Sequence, residues 1–220
     1  MIYRSLIIST LTIIYSLINS DTTKAQVFSS DQNPPALKWQ QINTKNFQII
    51  YPSSFDEEAQ RMANTLEKII HRVSFSLNKS PKKISIILQN QGTTSNGFVQ
   101  LSPRRSEFFS TPSQSFDYQN WLNSLAVHEL RHVVQFDKLT GAYNAPPLES
   151  IALTIFGISL PPWFYEGDAV ITETALTNAG RGRIPEWNIA LRSNTLSNKK
   201  FSYTKDYFGS LNDFTPGYYQ

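Results

Sequence analysis

The stretch H-E-L-R-H at positions 128–132 constrains this chain more than any other part of its sequence. It lies within a helical pattern, because apolar residues recur from Trp121 to Phe136 at helical spacing. Residues four apart share one face of a helix, so the two imidazoles can reach one metal ion. Glu129 projects beside that ion, where a carboxylate can accept a proton from metal-activated water. The pattern predicts a metal held by His128 and His132, with Glu129 as general base.

The absence of cysteine narrows the remaining ligands of this site. Without thiolates, a metal must be held by histidine and carboxylate, and a catalytic zinc site needs a third protein ligand. The best candidate is Glu166, in the segment W-F-Y-E-G-D-A at 163–169. Two alternatives stay open. The histidines could be ordinary residues of a surface helix, and Glu166 could simply favour a helix N-terminus.

The two segments together resemble a known group of enzymes. H-E-x-x-H followed by W-x-x-E-G-x-A is similar to the gluzincin (peptidase MA-like) metallopeptidases, the group that contains thermolysin and aminopeptidase N. The resemblance covers roughly residues 45–220, although the gap between His132 and Glu166 is longer than in aminopeptidase N. It implies Zn²⁺ as cofactor, Glu166 as third ligand, and a peptide or protein as substrate.

Four further residues are assigned roles around this site. Glu173 follows Glu166 by seven residues and faces the same side of the helix, so we expect it to accept a hydrogen bond from a ligand imidazole. A solvated helix face is the alternative. Asp168 faces away and is expected to serve the helix terminus. Gly167 is expected to allow two helices to approach closely. By the same resemblance Tyr218 is a candidate catalytic tyrosine, although a packing role is the alternative.

The N-terminus predicts export. A basic start, a short apolar stretch and a small residue before Gln26 are typical of a secretory signal peptide over residues 1–25. A retained membrane anchor is the alternative; after signal removal we expect no stable membrane span. Residues 26–44 are predicted to be a leader segment and 45–220 a zincin-like domain. Its last residues stop in mid-pattern, so we expect a longer natural protein, located in the periplasm, on the outer membrane or outside the cell.

The remaining pattern predicts an α+β fold, in which a small mixed or antiparallel sheet packs on helices. The H-E-x-x-H helix and a following ligand-bearing helix would form a zincin-like active site. The net charge of +3 comes from scattered basic residues, which argues against a nucleic-acid partner. The predicted strands are 47–51, 83–88 and 97–101 with a hairpin partner at 107–110, and the predicted helices are 57–75, 120–138, 151–160 and 163–177.

The sequence therefore predicts an exported zinc metallopeptidase. One alternative is a catalytically silent, metal-bearing binding or scaffold module of a larger cell-envelope protein, although such a module has no use for Glu129. Another is metal-assisted hydrolysis of a different bond, since the motif positions a water and does not select the substrate. By resemblance to larger exported bacterial proteins, a C-terminal β-propeller is a possible further domain.

Overall fold

The computed structural model of the protein describes residues 33–101, 103–114, 120–141, 151, 160–200, 202–212 and 215, without the side chains of Leu101 and Asp206. The predicted signal peptide, residues 26–32 of the predicted leader and Tyr218 lie outside these residues. Contacts divide the chain into two units, Met1–Pro35 and Ala36–Gln220, and the described strands and helices all belong to the second unit. Within the described residues, no helix is both long enough and apolar enough to cross a membrane.

The second unit contains five strands and five α-helices among its described residues. The strands are β1 (Trp39–Asn43), β2 (Phe47–Pro52), β3 (Ile84–Gln89), β4 (Gly97–Leu101) and β5 (Arg104–Phe109). The helices are α1 (Asp56–Phe75), α2 (Trp121–Thr140), α3 (Pro162–Leu176), α4 (Ile189–Leu196) and α5 (Tyr203–Phe208).

The strands form one mixed sheet in the order β1-β2-β3-β5-β4. Strand β2 is parallel to β3, and β3 is parallel to β5, whereas β1 and β4 pair antiparallel with their neighbours. Parallel strands need a crossover, and α1 supplies the one between β2 and β3. The short hairpin from β4 to β5 leaves β4 at the edge of the sheet. The predicted α+β class with a small mixed sheet is confirmed.

The core lies between one face of the sheet and the two long helices. Alternate side chains of β2 and β3, such as Ile49 and Ile86, are buried because successive strand residues point to opposite faces. Helix α1 covers this face with an apolar stripe, and its first turn carries three acids, which suit the positive end of the helix dipole. Helix α2 is more deeply enclosed: every side chain from Ser124 to Gln135 is buried. The polar side chains in this part of α2 are therefore enclosed by other parts of the protein.

Three sequence expectations differ from this architecture. Residues 39–43, which were predicted to belong to the leader, form edge strand β1, whose side chains are largely exposed and therefore show no apolar alternation. Strand β5 begins at Arg104 rather than 107, because the charges of Arg104 and Arg105 are neutralised by Asp137 and Glu107. Helices α4 and α5 were not predicted. The expected helix at 151–160 lies outside the described residues, apart from its two ends.

Candidate metal centre

Helix α2 holds the two histidines of the motif in a buried position. Asn120 caps the helix by accepting a hydrogen bond from the backbone N–H of Asn123, which satisfies one of the free donors of the first turn. Two turns later, His128 and His132 are 5% and 8% exposed. Their rings meet edge to face, and their Nε2 atoms are 3.1 Å apart. Two buried imidazole nitrogens aimed at each other need a proton or a cation between them.

Helix α3 brings the third predicted ligand to the same point. The helix begins at Pro162, whose fixed φ suits a first helical position, and it packs against α2. Glu166 Oε2 lies 3.3 Å from His128 Nε2 and 3.5 Å from His132 Nε2. This oxygen is buried and has no hydrogen-bond partner among the described residues. It is therefore a charged acceptor aimed at two ring nitrogens.

The spacing of these three atoms fits a metal ion. Ligands of a tetrahedral zinc, with bonds of about 2.1 Å, lie about 3.4 Å from one another. The separations here are 3.1, 3.3 and 3.5 Å. Two imidazoles and a carboxylate also form a donor set that zinc accepts. The residues His128, His132 and Glu166 are thus a possible metal-binding triad.

The charges of the triad suit a cation as well. Burial raises the pKa of Glu166, but His128 and His132 outweigh burial and lower this pKa to about 2. Burial lowers the pKa of His132, but the carboxylates of Glu166 and Glu129 outweigh burial and raise it. The carboxylate of Glu166 is therefore ionised at neutral pH, as a metal ligand must be.

Glu129 is buried beside the triad, on α2 with the two histidines. Burial raises its pKa, and the nearby His128 and His132 offset this rise only in part. Its carboxyl group lies against the backbone of β4: a Cβ built on Gly97 would be 2.9 Å from Glu129 Oε1 and 2.7 Å from Leu125 Cδ1. Gly97 thus leaves the room that this carboxyl group occupies.

The expected role of Gly167 is wrong. A Cβ built on Gly167 meets no atom of the described residues within 4 Å, so this glycine does not serve a close approach of the described helices. The close approach is at Gly97 instead, between strand β4 and helix α2. The sequence did not indicate this because Gly97 and Glu129 lie far apart along the chain.

A buried carboxylate, Glu173, and an arginine, Arg181, lie next to Nδ1 of His128. Glu173 is 1% exposed, and its Oε2 lies 3.3 Å from His128 Nδ1. Arg181 donates to Glu173 from Nε (3.0 Å), Nη2 (2.8 Å) and its backbone N–H (3.1 Å). The same Nη2 lies 2.5 Å from His128 Nδ1. Burial raises the pKa of Glu173, but His128 and Arg181 lower it to about 2.

Arg181 was not predicted as part of the site. It begins a short 3₁₀ turn after α3, and its guanidinium also stacks on Trp187, 5.4 Å from the ring centroid. The preceding Gly180 has φ +86°, and a Cβ there would be 2.5 Å from the Cα of Thr174. Only glycine fits this turn. The segment G-R-G at 180–182 was the available sequence signal.

A different set of side chains stands behind His132. His132 Nδ1 lies 2.8 Å from Gln135 Oε1, and the amide nitrogen of Gln135 donates to Asp168 Oδ2 at 2.7 Å. Arg131 forms a two-pronged ion pair with Asp168, at 2.6 and 2.8 Å. Asp168 was expected to serve the helix terminus. Instead it joins α3 to α2, because Arg131 is buried in α2 and needs a counter-charge.

The predicted site residues therefore fall into three groups. The structure brings His128, His132 and Glu166 together, and it places Glu129 and Glu173 next to the histidines. Tyr218 lies outside the described residues, so its predicted role stays a prediction.

Comparisons with known proteins add little to this geometry. No established protein family matches the chain, and no solved structure does. The chain is similar to an uncharacterized protein of Treponema pallidum (strain Nichols), with 27% identity over 164 residues. The match covers 71% of this chain but 14% of the relative, so the chain spans a small part of the relative's length.

Proposed function

We propose that this chain is a zinc-dependent metallopeptidase domain of gluzincin type. The observation that carries the proposal is the spacing of His128 Nε2, His132 Nε2 and Glu166 Oε2, together with the lack of a hydrogen bond to that buried oxygen among the described residues. Zinc is favoured because the site offers two imidazoles and one carboxylate, which leaves an open position for water. A zinc ion held there supplies Lewis acidity and lowers the pKa of its water.

The protein's own residues supply the proton transfers. Glu129 is the group that accepts a proton from the attacking water and passes it to the leaving amine nitrogen. Burial raises its pKa, and this is the direction that makes a carboxylate a stronger base. Gly97 keeps the space that this carboxyl group needs.

Strand β4 supports a peptide as the substrate. Within the described part of the chain it is an edge strand, with β5 as its neighbour in the sheet. An extended peptide can add to such an edge through main-chain hydrogen bonds. Glu129 lies against this strand at Gly97, which brings a bound backbone close to the base. Export through a signal peptide over residues 1–25 and a C-terminal β-propeller stay predictions.

The test combines metal content with peptide cleavage. We expect the purified chain to hold about one equivalent of zinc by mass spectrometry. Glu129→Gln should keep the metal, and its rate of cleavage of a peptide library should fall about 10²–10⁴-fold. The matched control is Glu57→Gln, an exposed position on α1, which should change neither property.

Other outcomes favour the alternatives. Zinc binding without cleavage of any peptide would favour the silent scaffold module. Cleavage of a different bond, lost in Glu129→Gln, would favour another metal-assisted hydrolysis. Unchanged metal content in His128→Ala would contradict the site itself.

A further inference from the structure

The side-chain amide of Gln135 has its orientation determined by helix α3. Gln135 is buried, and its Nε2 donates to the backbone carbonyl of Tyr165 at 3.0 Å and to Asp168 Oδ2 at 2.7 Å. Both partners accept hydrogen bonds and neither can donate one when Asp168 is ionised. The NH₂ group must therefore face α3, and the carbonyl oxygen must face His132.

Arg131 keeps Asp168 in its accepting form. The guanidinium donates to both carboxylate oxygens of Asp168 and, from Nη1, to the carbonyl of Val73 at 2.7 Å. Arginine stays protonated in proteins, so it can only donate. The Asp168 carboxylate thus lies between two donors, the Arg131 guanidinium and the Gln135 amide.

This alternation of donors and acceptors determines which nitrogen of His132 carries a proton. Since Gln135 presents its oxygen to Nδ1 at 2.8 Å, Nδ1 must be the donor. In a neutral ring, Nε2 then has its lone pair free. That nitrogen faces Glu166 Oε2, at 3.5 Å. A histidine without such a partner distributes its proton over both ring nitrogens.

We propose that Gln135 is a positioning residue of the metal centre. Oriented by Asp168 and Arg131, its carbonyl oxygen holds His132 in the form with the proton on Nδ1, and so presents Nε2 to the cation. The inference rests on the proposed metal site for its purpose. The tautomer itself can be measured without any metal.

A purely structural role for Gln135 is the competing explanation, since its amide joins α2 to α3. Stability alone does not separate the two roles, because losing these hydrogen bonds weakens the fold in either case. The position of the ring proton does separate them. Only a positioning residue controls the tautomer of His132.

The experiment compares Gln135→Met with Gln60→Met, an exposed position on α1. Methionine keeps the length of the side chain but has no amide. In the metal-free wild type, at a pH high enough to leave the His132 ring neutral, nitrogen NMR of labelled histidine rings should show its proton on Nδ1. Gln135→Met should shift this ring to a mixture of tautomers and weaken zinc binding about 10–100-fold in competition with a chelator. Gln60→Met should change neither.

A second variant tests the same idea if Gln135→Met does not fold. Gln135→Glu combined with Asp168→Asn exchanges the amide and the carboxylate. The carboxylate at position 135 can then accept a hydrogen bond from His132 Nδ1, and the amide at position 168 can donate one to that carboxylate. We expect this double variant to keep the proton on Nδ1. If Gln135→Met folds, the double variant should bind zinc about tenfold more tightly than Gln135→Met.

The outcomes are distinct. An unchanged tautomer and unchanged zinc affinity in Gln135→Met overturn the positioning role. A wild-type His132 with its proton on Nε2 also overturns it. If the wild type binds no zinc, the proposed function fails, whereas a tautomer that depends on Gln135 would still support the positioning role.

Discussion

The two histidines of the metal centre lie on the same helix, one turn apart, yet their surroundings differ. Behind His132 is a neutral amide, Gln135, in a chain of matched donors and acceptors. Behind His128 is an ion pair, in which Glu173 and Arg181 both lie within 3.3 Å of the same ring nitrogen. One partner accepts hydrogen bonds and the other donates them, so the contacts of Nδ1 do not by themselves determine the tautomer of His128.

This difference suggests a division of labour. The His132 side orients the imidazole ring and its proton, because its hydrogen bonds permit only one arrangement of protons. The His128 side sets the electrostatic potential, because Glu173 favours a nearby cation and Arg181 opposes it. The first side is also part of the helix packing, since Arg131 joins α1, α2 and α3. The second ends in a short turn after α3.

The largest expected effect tests whether the His132 side is tied to global stability. Arg131→Met leaves the carboxylate of Asp168 without its ion-pair partner and the carbonyl of Val73 without its donor. Because Arg131 is buried, we expect a loss of about 3 kcal/mol in the free energy of unfolding. Urea unfolding of the metal-free protein measures it.

The control for this prediction is Arg72→Met, an exposed arginine in the last turn of α1. This change should alter the free energy of unfolding by less than about 0.5 kcal/mol. A loss below about 1 kcal/mol in Arg131→Met would mean that the ion pair is worth no more than a surface pair. The two histidine sides would then not differ in their link to the fold.

The next effect separates the two members of the ion pair behind His128. Glu173→Gln removes a negative charge beside the ring, and we expect zinc affinity to fall about 10–100-fold. Arg181→Met removes a positive charge and leaves Glu173 free to accept from Nδ1. We expect zinc affinity to rise about tenfold, as for the loss of a like charge at this range. Chelator competition at neutral pH measures both.

The opposite signs are the critical part of this prediction. Both substitutions break the same ion pair, so a purely structural role would lower zinc affinity in both variants. Equal losses would therefore contradict the electrostatic role of the His128 side. The side chains next to His128 and those next to His132 would then both have a purely structural role.

The sequence predicted what depends on helical periodicity. His128, Glu129 and His132 are neighbours on one helix, so the spacing alone places them together. Glu166 was predicted from its resemblance to a known pattern, and the structure brings it to the histidines. The long gap before it did not matter, because helix packing sets the distance.

Residues whose role depends on contacts across the fold could not be predicted. Gln135 has a defined orientation only because Asp168 and the Tyr165 carbonyl stand opposite it on α3. Arg181 reaches His128 from a turn that is 53 residues further along the chain. Strand β1 shows the same limit at the level of the fold, since an exposed edge strand carries no apolar alternation.

The smallest expected effect concerns the base that lies between the two sides. Gly97→Ala would place a methyl group 2.7 Å from Leu125 Cδ1 and 2.9 Å from Glu129 Oε1, so one of these groups must move. We expect a loss of about 1–2 kcal/mol in the free energy of unfolding, and slower peptide cleavage. Zinc affinity should stay constant, because no ligand atom is touched.

Gly167→Ala is the matched control, because a Cβ built on this helical glycine has no atom of the described residues within 4 Å. Alanine suits a helix interior better than glycine, so we expect a gain of up to about 1 kcal/mol with unchanged cleavage. If Gly97→Ala lowers zinc affinity as much as Glu173→Gln does, the base and the metal ligands are not separable. In that case the two histidine sides cannot be assigned separate roles, because any displacement near Glu129 would disturb both.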